Sequence, residues 1–358
     1  MTIFESELAA GGILRWGIPK YRLPLYILER EIEFLKELGV NFRFNTTVGV
    51  DISIEELETN YSKIVIAIGA HKDIPLNIKG NDIKGVLFGR ELLKGLAKGE
   101  VPQIGKRVAV IGGGNVAVDS ARTLLRLGSE VTVVYRRVKS DMPANRDEIK
   151  EAEIEGVEYL FLSSPREILA DVENCVRGIK LDKMCCGEID LSNRRKPLPT
   201  GHSFILECDT VVIAVGEEVE SSFLAKLGIL SLPGGNIKVE PFTYKSNNPK
   251  VYAIGDAVTG PSTASEAMGA AKRAAKEIDL EVTGKKRFHK LFRSFEYSNI
   301  VPSVPEGGSR HYSVKRPLEE RRGNFEEVNL GYTHEQAFAE AARCLRCDVN
   351  LFINSEIE

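Results

Sequence analysis

The chain has 358 residues, which at about 150 per domain predicts roughly two domains, with length enough to bury substantial cores. With 43% hydrophobic and 28% charged residues and a formal net charge of −3, the composition is that of an ordinary globular protein; it counts against wholesale disorder and against nucleic acid as a partner. No apolar run nears the ~18 residues of a membrane span, and Glu5 and Glu7 stand where a signal peptide carries positive charge, so a cytoplasmic chain without a membrane span is expected.

Short runs rich in Val and Ile, each followed by glycine, alternate with amphipathic stretches of helical length, the pattern of an α/β protein with parallel sheets. In chain order the periodicity predicts a helix over 24–38, strands over 63–68 and 107–111, a helix over 115–127, a strand over 130–135, a helix over 144–155, strands over 209–215 and 251–254, and a helix over 264–278. From 283 to 331 the composition changes. KKRFHKLFR is followed by Pro302, Pro305, Gly307, Gly308 and Pro317 with little periodicity, so a boundary is placed near Glu281. The five basic residues between Lys285 and Arg293 read as a solvated or partner-facing turn. Six cysteines are too few for a disulfide scaffold, and reduced thiols are expected. Cys185 and Cys186, adjacent in what reads as a hairpin insertion, are structural or incidental.

The most informative stretch is RVAVIGGGNVAVDSARTLLRLGSEVTVVYRR, residues 107–137. A strand runs into a glycine turn, a helix follows at once, and a second strand returns within the length of one βαβ unit. The turn reads G-x-G-x-x-A: Gly112 for the tight bend, Gly114 for close approach to a pyrophosphate, and Ala117 for helix-on-strand packing. Asn115, Val116 and Ala117 then open a helix whose N–H groups and dipole favour phosphate. Where an NAD site carries a carboxylate at the end of the second strand, this chain carries Arg136 and Arg137. A guanidinium can pair with a 2′-phosphate, so NADP(H) is expected over NAD(H).

Near the other end, NPKVYAIGDAVTGPSTASEAMGAAKRAA stops a strand at Gly255 and Asp256 and starts a small-residue helix after Gly260 and Pro261. With GGILRWGIPKYRLP (11–24) and YRRVKSDMPA (135–144), the chain resembles the small (beta) subunit of NADPH-dependent glutamate synthase and related FAD/NAD(P)-binding pyridine nucleotide oxidoreductases, over residues 1–278. The resemblance implies two dinucleotide-binding, Rossmann-like domains with parallel sheets, one inserted in the other. Residues 1–100 and 241–281 would form a partial FAD-binding domain, 101–240 the NAD(P)H-binding domain, and 282–358 a C-terminal extension. It assigns Asp256 to the ribityl chain of FAD, backbone amides near Thr263 and Ala264 to the flavin O2 edge, and Glu5, ending a first strand MTIFE, to the adenosine ribose. Gly11 and Gly12 would let backbone pass close to the cofactor, and Gly69 and Gly216 would end strands where the chain crosses between domains.

The family's FAD domain opens with a further strand and its own G-x-G-x-x-G, whereas this sequence begins at the second strand. The FAD pyrophosphate cradle is therefore expected from another polypeptide, a split gene or a truncated one, and the family's cysteine-rich iron–sulfur domain is likewise not in the sequence. Cys344 and Cys347 form a CxxC, half of what an iron–sulfur cluster or structural zinc requires. A metal site completed by a partner and a redox or incidental thiol pair both stay open. The expected function is an NADPH-dependent flavoprotein oxidoreductase module that passes hydride to FAD and electrons onward to an iron–sulfur centre, a ferredoxin-like protein or an acceptor subunit. The alternative is a non-catalytic NADP(H)-binding or assembly subunit with an incomplete FAD site.

Overall fold

Strands that are apolar on both faces are stable only inside a layered core. The computed structural model describes residues 1–190, 193–220, 224, 228–232, 234–285 and 309–343. It places Val86–Phe88, Thr210–Ile213, Arg107–Ile111, Glu130–Tyr135 and Glu158–Phe161, in that order, in one parallel sheet. Alternation along Arg107–Ile111 sends Val108 and Val110 to one face, against Ala117, Ala121 and Leu124 of the helix Asn115–Arg126 and Ile149 and Ala152 of the helix Arg146–Glu155. Ala109 and Ile111 face the other way and meet Ile168, Ile179 and Leu181 of an antiparallel sheet, Ser163–Ala170, Val176–Ile189 and Arg195–Leu206. The result is three layers: helices, parallel sheet, antiparallel sheet. Glu130–Tyr135 flanks the central Arg107–Ile111 on one side and Thr210–Ile213 on the other, so a switch-point crevice opens at their carboxyl ends.

The second unit is built on two parallel pairs, Thr2–Phe4 with Asn41–Arg43 and Ile64–Ile66 with Val251–Ala253. Ile66, Val251 and Ala253 share a core with Ile54, Leu224, Ile229 and Ile237. The two pairs are not hydrogen-bonded to each other. The Ile64 N–H donates to Lys250 and the Ile254 N–H to Ile66, while Lys245 bridges the far side of Val251–Ala253, so the backbone of Val65 faces outward. Likewise the Asn41 N–H donates to Met1 and the Glu5 N–H to Arg43, which turns Thr2 and Phe4 the other way. Each pair thus keeps one open edge among the described residues.

The domain change lies elsewhere than at residues 100 and 240. Val86–Phe88 is an edge of the five-stranded sheet, and Ile229 and Ile237 pack with Val251. The chain crosses where Lys72–Asp73 pairs antiparallel with Glu217–Glu218, just beyond Gly69 and Gly216. Positive φ at both glycines lets each strand turn out of its sheet at once.

Residues 309–343 fold back on the three-layered unit, as a short antiparallel pair, Val314–Lys315 with Asn329–Gly331, and a helix, His334–Ala342. The Val328 N–H donates to the Tyr21 carbonyl at 2.9 Å. Lys315 and Arg321 grip the Glu151 carboxylate at 2.5 and 2.8 Å, and Arg321 reaches Glu155 at 3.2 Å. Beneath this strap Glu155 also binds Arg122 and Arg126, at 2.6 and 2.7 Å, and the Arg126 guanidinium lies 3.9 Å from the centre of the Tyr21 ring. Arg22 joins the same cluster through Asp119 (2.6 Å) and Glu148 (3.2 Å). Nothing in the low periodicity of 283–331 announced this docking. Cys344, Cys347 and residues 286–293 lie outside the described residues. Among the described residues no helix is long and apolar enough to cross a membrane.

Candidate functional site

At the crevice, Arg107–Ile111 ends on Gly112, where φ is 147° and a Cβ would lie 2.1 Å from the Ala214 carbonyl oxygen. Gly113 is hemmed in too, its would-be Cβ 2.4 Å from the Tyr135 ring. Gly114 differs. Nothing stands within 4 Å of a Cβ built there, and it precedes Asn115–Arg126 with no side chain capping the first-turn N–H groups. Two glycines therefore serve packing, and the third faces open space at an uncapped helix N-terminus. There the amides of Asn115, Val116 and Ala117 and the helix dipole attract an anion. Ala117 is fully buried, 3.3 Å from the would-be Cβ of Gly112.

The loop after Glu130–Tyr135 folds back on this turn. The Ala144 N–H donates to the Gly113 carbonyl (3.1 Å), the Asn145 N–H to Asn115 Oδ1 (2.9 Å), and the Tyr135 hydroxyl to the Asp141 carbonyl (2.7 Å). Arg136 and Arg137, paired in the sequence reading, part here. Arg136 is exposed, whereas Arg137 is buried, its Nε donating to the Arg195 carbonyl at 2.8 Å and its Nη2 to the Asp190 carboxylate at 2.5 Å.

At the crossing, a polar cluster that the motifs had not shown holds the ribbon. Arg90, 5% exposed on the helix Gly89–Ala97, donates from Nε to the His71 carbonyl (3.0 Å), meets the His71 ring through its guanidinium, and lies 3.5 Å from Glu217. Its backbone N–H donates to Asp73 at 3.3 Å. Burial, with the Arg90 and Lys94 charges, pushes His71 down to about 4, so the imidazole is neutral at physiological pH. Burial raises the Asp73 and Glu217 carboxyls. The one signal in the sequence was an arginine on the apolar face of an amphipathic helix.

In the second unit, Gly255 (φ 65°) turns the chain out of Val251–Ala253, and Asp256 follows with Oδ1 accepting from the Ser262 N–H (3.1 Å) and hydroxyl (3.0 Å). Thr263 caps the helix Ala264–Thr283 in a capping box: its hydroxyl accepts from the Glu266 N–H at 3.2 Å, and its own N–H donates to the Glu266 carboxylate at 3.0 Å. The Thr263 amide is thereby taken, which leaves Ala264 as the leading free amide at this N-terminus. Glu5 sits in the turn after Thr2–Phe4, its Oε1 accepting from the Glu7 N–H at 2.9 Å. A Cβ on Gly11 would strike Leu28 and Arg15 at 2.7 and 2.9 Å, while Gly12 (φ 51°) faces open space. Among the described residues no group of three or more His, Cys, Asp or Glu side chains could hold a metal ion.

The family model of pyridine nucleotide-disulphide oxidoreductases matches residues 25–271. The chain belongs to this family. Its relatives within the family are of several kinds. The NADP(+)-dependent formate dehydrogenase subunit beta of Moorella thermoacetica is 41% identical over 97% of this chain and 51% of its own length. The NADPH-Fe(3+) oxidoreductase subunit beta of Geobacter sulfurreducens is 34% identical over 97% of this chain and 57% of its own length. The NADPH glutamate synthase small chain of Escherichia coli is 32% identical over 77% of this chain and 62% of its own length. The kinship is therefore with several NAD(P)H oxidoreductase subunits rather than with the glutamate synthase small subunit in particular. The chain spans about half the length of the first two. Among solved structures, FprA from Mycobacterium tuberculosis matches with a TM-score of 0.62 at 20% identity, over 80% of this chain and 79% of that one. The thioredoxin reductase of T. acidophilum matches at 0.58 and 21% identity, over 78% and 90%. The fold is the two-domain Rossmann-type fold of this family.

Proposed function

We propose that this chain is the NADPH-oxidising module of a flavoprotein oxidoreductase, passing electrons from NADPH through FAD to an iron–sulfur centre or acceptor subunit. The observation that carries the reading is the uncapped helix N-terminus at Gly114, open to solvent at the switch point, with exposed Arg136 ending the next strand. Relatives named as subunits of a formate dehydrogenase and an Fe(3+) oxidoreductase support an acceptor outside the module.

FAD, when bound, supplies a hydride acceptor that can release electrons singly. The chain's own residues bind and orient. The amides from Asn115 to Ala117 hold the NADPH pyrophosphate, and Arg136 pairs with the 2′-phosphate. Asp256 accepts from ribityl hydroxyls, the Ala264 amide donates to the flavin O2 edge at the dipole-positive end of its helix, and Gly12 and Glu5 lie on the adenosine side. The crossing ribbon, fixed by Arg90, sets the two units against each other, and hydride transfer itself calls for no side-chain acid or base. The open edges of Thr2–Phe4 and Ile64–Ile66 are where a further βα unit, from a neighbouring segment or a partner, would pair and bring a second helix N-terminus to the FAD pyrophosphate.

The test is steady-state reduction of a dye by FAD-loaded protein. The reading expects kcat/KM for NADPH at least tenfold above that for NADH. Tight NADPH binding with no dye reduction in the presence of bound FAD would favour the non-catalytic subunit instead.

A further inference from the structure

The long antiparallel hairpin Val176–Ile189 and Arg195–Leu206 is inserted between the last two strands of the nucleotide sheet. Its base packs on the sheet, and Asp190 and Arg195, at its far end, reach the loop that follows Glu130–Tyr135. Four contacts dock it there. Asp190 and the Arg195 carbonyl together take the buried Arg137 guanidinium, at 2.5 and 2.8 Å. Arg195 in turn donates from Nη2 to the Ser140 hydroxyl (2.7 Å) and lies 3.2 Å from the Asp141 carboxylate. The tip thus holds both ends of the loop 137–141, the loop that starts next to Arg136 and returns to the glycine turn through Ala144 and Gly113.

We propose that this hairpin tip determines selectivity for the 2′-phosphate of NADP(H), with Asp190 as the positioning residue that holds Arg137 down and leaves Arg136 as the guanidinium presented to the phosphate. The inference rests on the NADPH reading above. Both arginines lie in the bend just past the strand end at Tyr135, where Arg137 is buried under the hairpin and Arg136 is exposed, so holding Arg137 in place keeps Arg136 outward. A long arginine side chain held in one place loses less rotamer freedom on binding, and a guanidinium positioned by its neighbour's contacts is pre-organised for a phosphate. The pairing also offsets the Asp190 carboxylate, a charge of the ligand's own sign.

The test is calorimetric binding of 2′,5′-ADP and of 5′-ADP to the full chain, which needs no flavin and no turnover. Wild type is expected to prefer 2′,5′-ADP, and Arg136→Ala to lose that preference. Asp190→Ala should weaken 2′,5′-ADP at least fivefold and leave 5′-ADP within twofold, while Asp190→Asn, which still accepts from Arg137, should stay within twofold of wild type for both. Tighter binding of 2′,5′-ADP by both Asp190 variants would mean that the carboxylate acts only by repulsion, and would overturn the proposal. So would an unchanged Asp190→Ala, or an Arg136→Ala that keeps its preference; either result leaves the NADPH reading standing. A wild type without preference would overturn both, and the Asn variant provides the comparison should the Ala variant fold poorly.

Discussion

Gly112 and Gly114 sit two positions apart in one turn, and the structure gives them separate duties. An alanine at Gly112 would drive its methyl into the Ala214 carbonyl from a φ that L-residues rarely adopt. Overpacking and backbone strain together predict a loss of roughly 2 to 4 kcal/mol, read as a lower denaturant midpoint. Gly114→Ala meets nothing within 4 Å and has φ −87°, so its stability should lie within about 1 kcal/mol of wild type, alanine being the weaker N-cap. Its cost should fall on NADPH, whose pyrophosphate needs that space, and a Kd unchanged in titration would count against Gly114 as the phosphate approach. The spacing of glycines made this turn legible, because the geometry is local. The fate of Arg137 was not, since the residue that holds it lies 53 positions away on a hairpin with no motif. Thr263 shows the same limit at short range: the amide offered to a flavin edge is already bonded to Glu266.

Between elements, the helix pair Asn115–Arg126 and Arg146–Glu155 carries two acids that respond to pH in opposite directions. Burial alone would raise Glu155, but Arg122 and Arg126 hold it down to about 2. Its carboxylate stabilises the fold above pH 4.5, and that contribution is lost as pH falls from there toward 2. Burial pushes Asp119 up to about 7 even with Arg22 at 2.6 Å, and its Oδ1 has no hydrogen-bond partner among the described residues. Over the window from about 4 to 7 the folded chain holds a proton that the unfolded chain has released. Stability therefore falls with rising pH, with a limiting slope of about 1.4 kcal/mol per unit for one group. Asp119→Asn should flatten the profile of unfolding free energy between pH 5 and 7; a slope equal to that of wild type would show that Asp119 is ionised throughout. Glu155→Gln should cost about 3 to 5 kcal/mol at pH 7, because Arg126 would be left buried without its carboxylate and Arg122 with Glu148 alone. The elements themselves were largely readable. The strands at 107–111 and 130–135 stand as expected, since Val and Ile runs bounded by glycine have little other choice, whereas 63–68 and 209–215 shrink to Ile64–Ile66 and Thr210–Ile213, where the outward turns begin. The helix expected over 264–278 runs to Thr283 and stops at left-handed Gly284, a terminator that periodicity alone passes over.

On the scale of the molecule, the two units differ in how far their described strands are paired. The nucleotide unit has a continuous five-stranded sheet covered on both faces, and the other has two separate pairs with open edges and a 20-residue helix, Ala264–Thr283, that buries only Ala270 and Ala274. NADPH binding should thus be independent of further chain, and flavin retention should depend on it. Protein of these 358 residues is expected to purify with NADPH affinity but mostly without FAD, and a co-expressed strand, glycine turn and helix should restore a flavin spectrum. Near-stoichiometric FAD without that addition would show that the open edges do not matter. The crossing lies some 25 residues from the expected boundaries, because the edge strand Val86–Phe88 is too short to show in the sequence which sheet it joins.

The strap that clasps Glu151 with Arg321 also bears on time. Its partners lie 170 positions apart, and closing such a loop costs about 4 to 5 kcal/mol of chain entropy by (3/2)RT ln n, a cost met before any ion pair forms. The strands Arg107–Ile111, Glu130–Tyr135 and Glu158–Phe161 pair across only 23 and 26 positions, so they and the helices between them come together first, and the strap closes over helices already in place. An interaction absent from the transition state governs how long the native state lasts and not how fast it is reached. Arg321→Ala should therefore steepen the loss of native signal after a jump into denaturant, raising the unfolding rate by ten-fold or more, while refolding of the nucleotide unit keeps its wild-type rate. The strap would then serve as a kinetic latch, setting the lifetime of the assembled module.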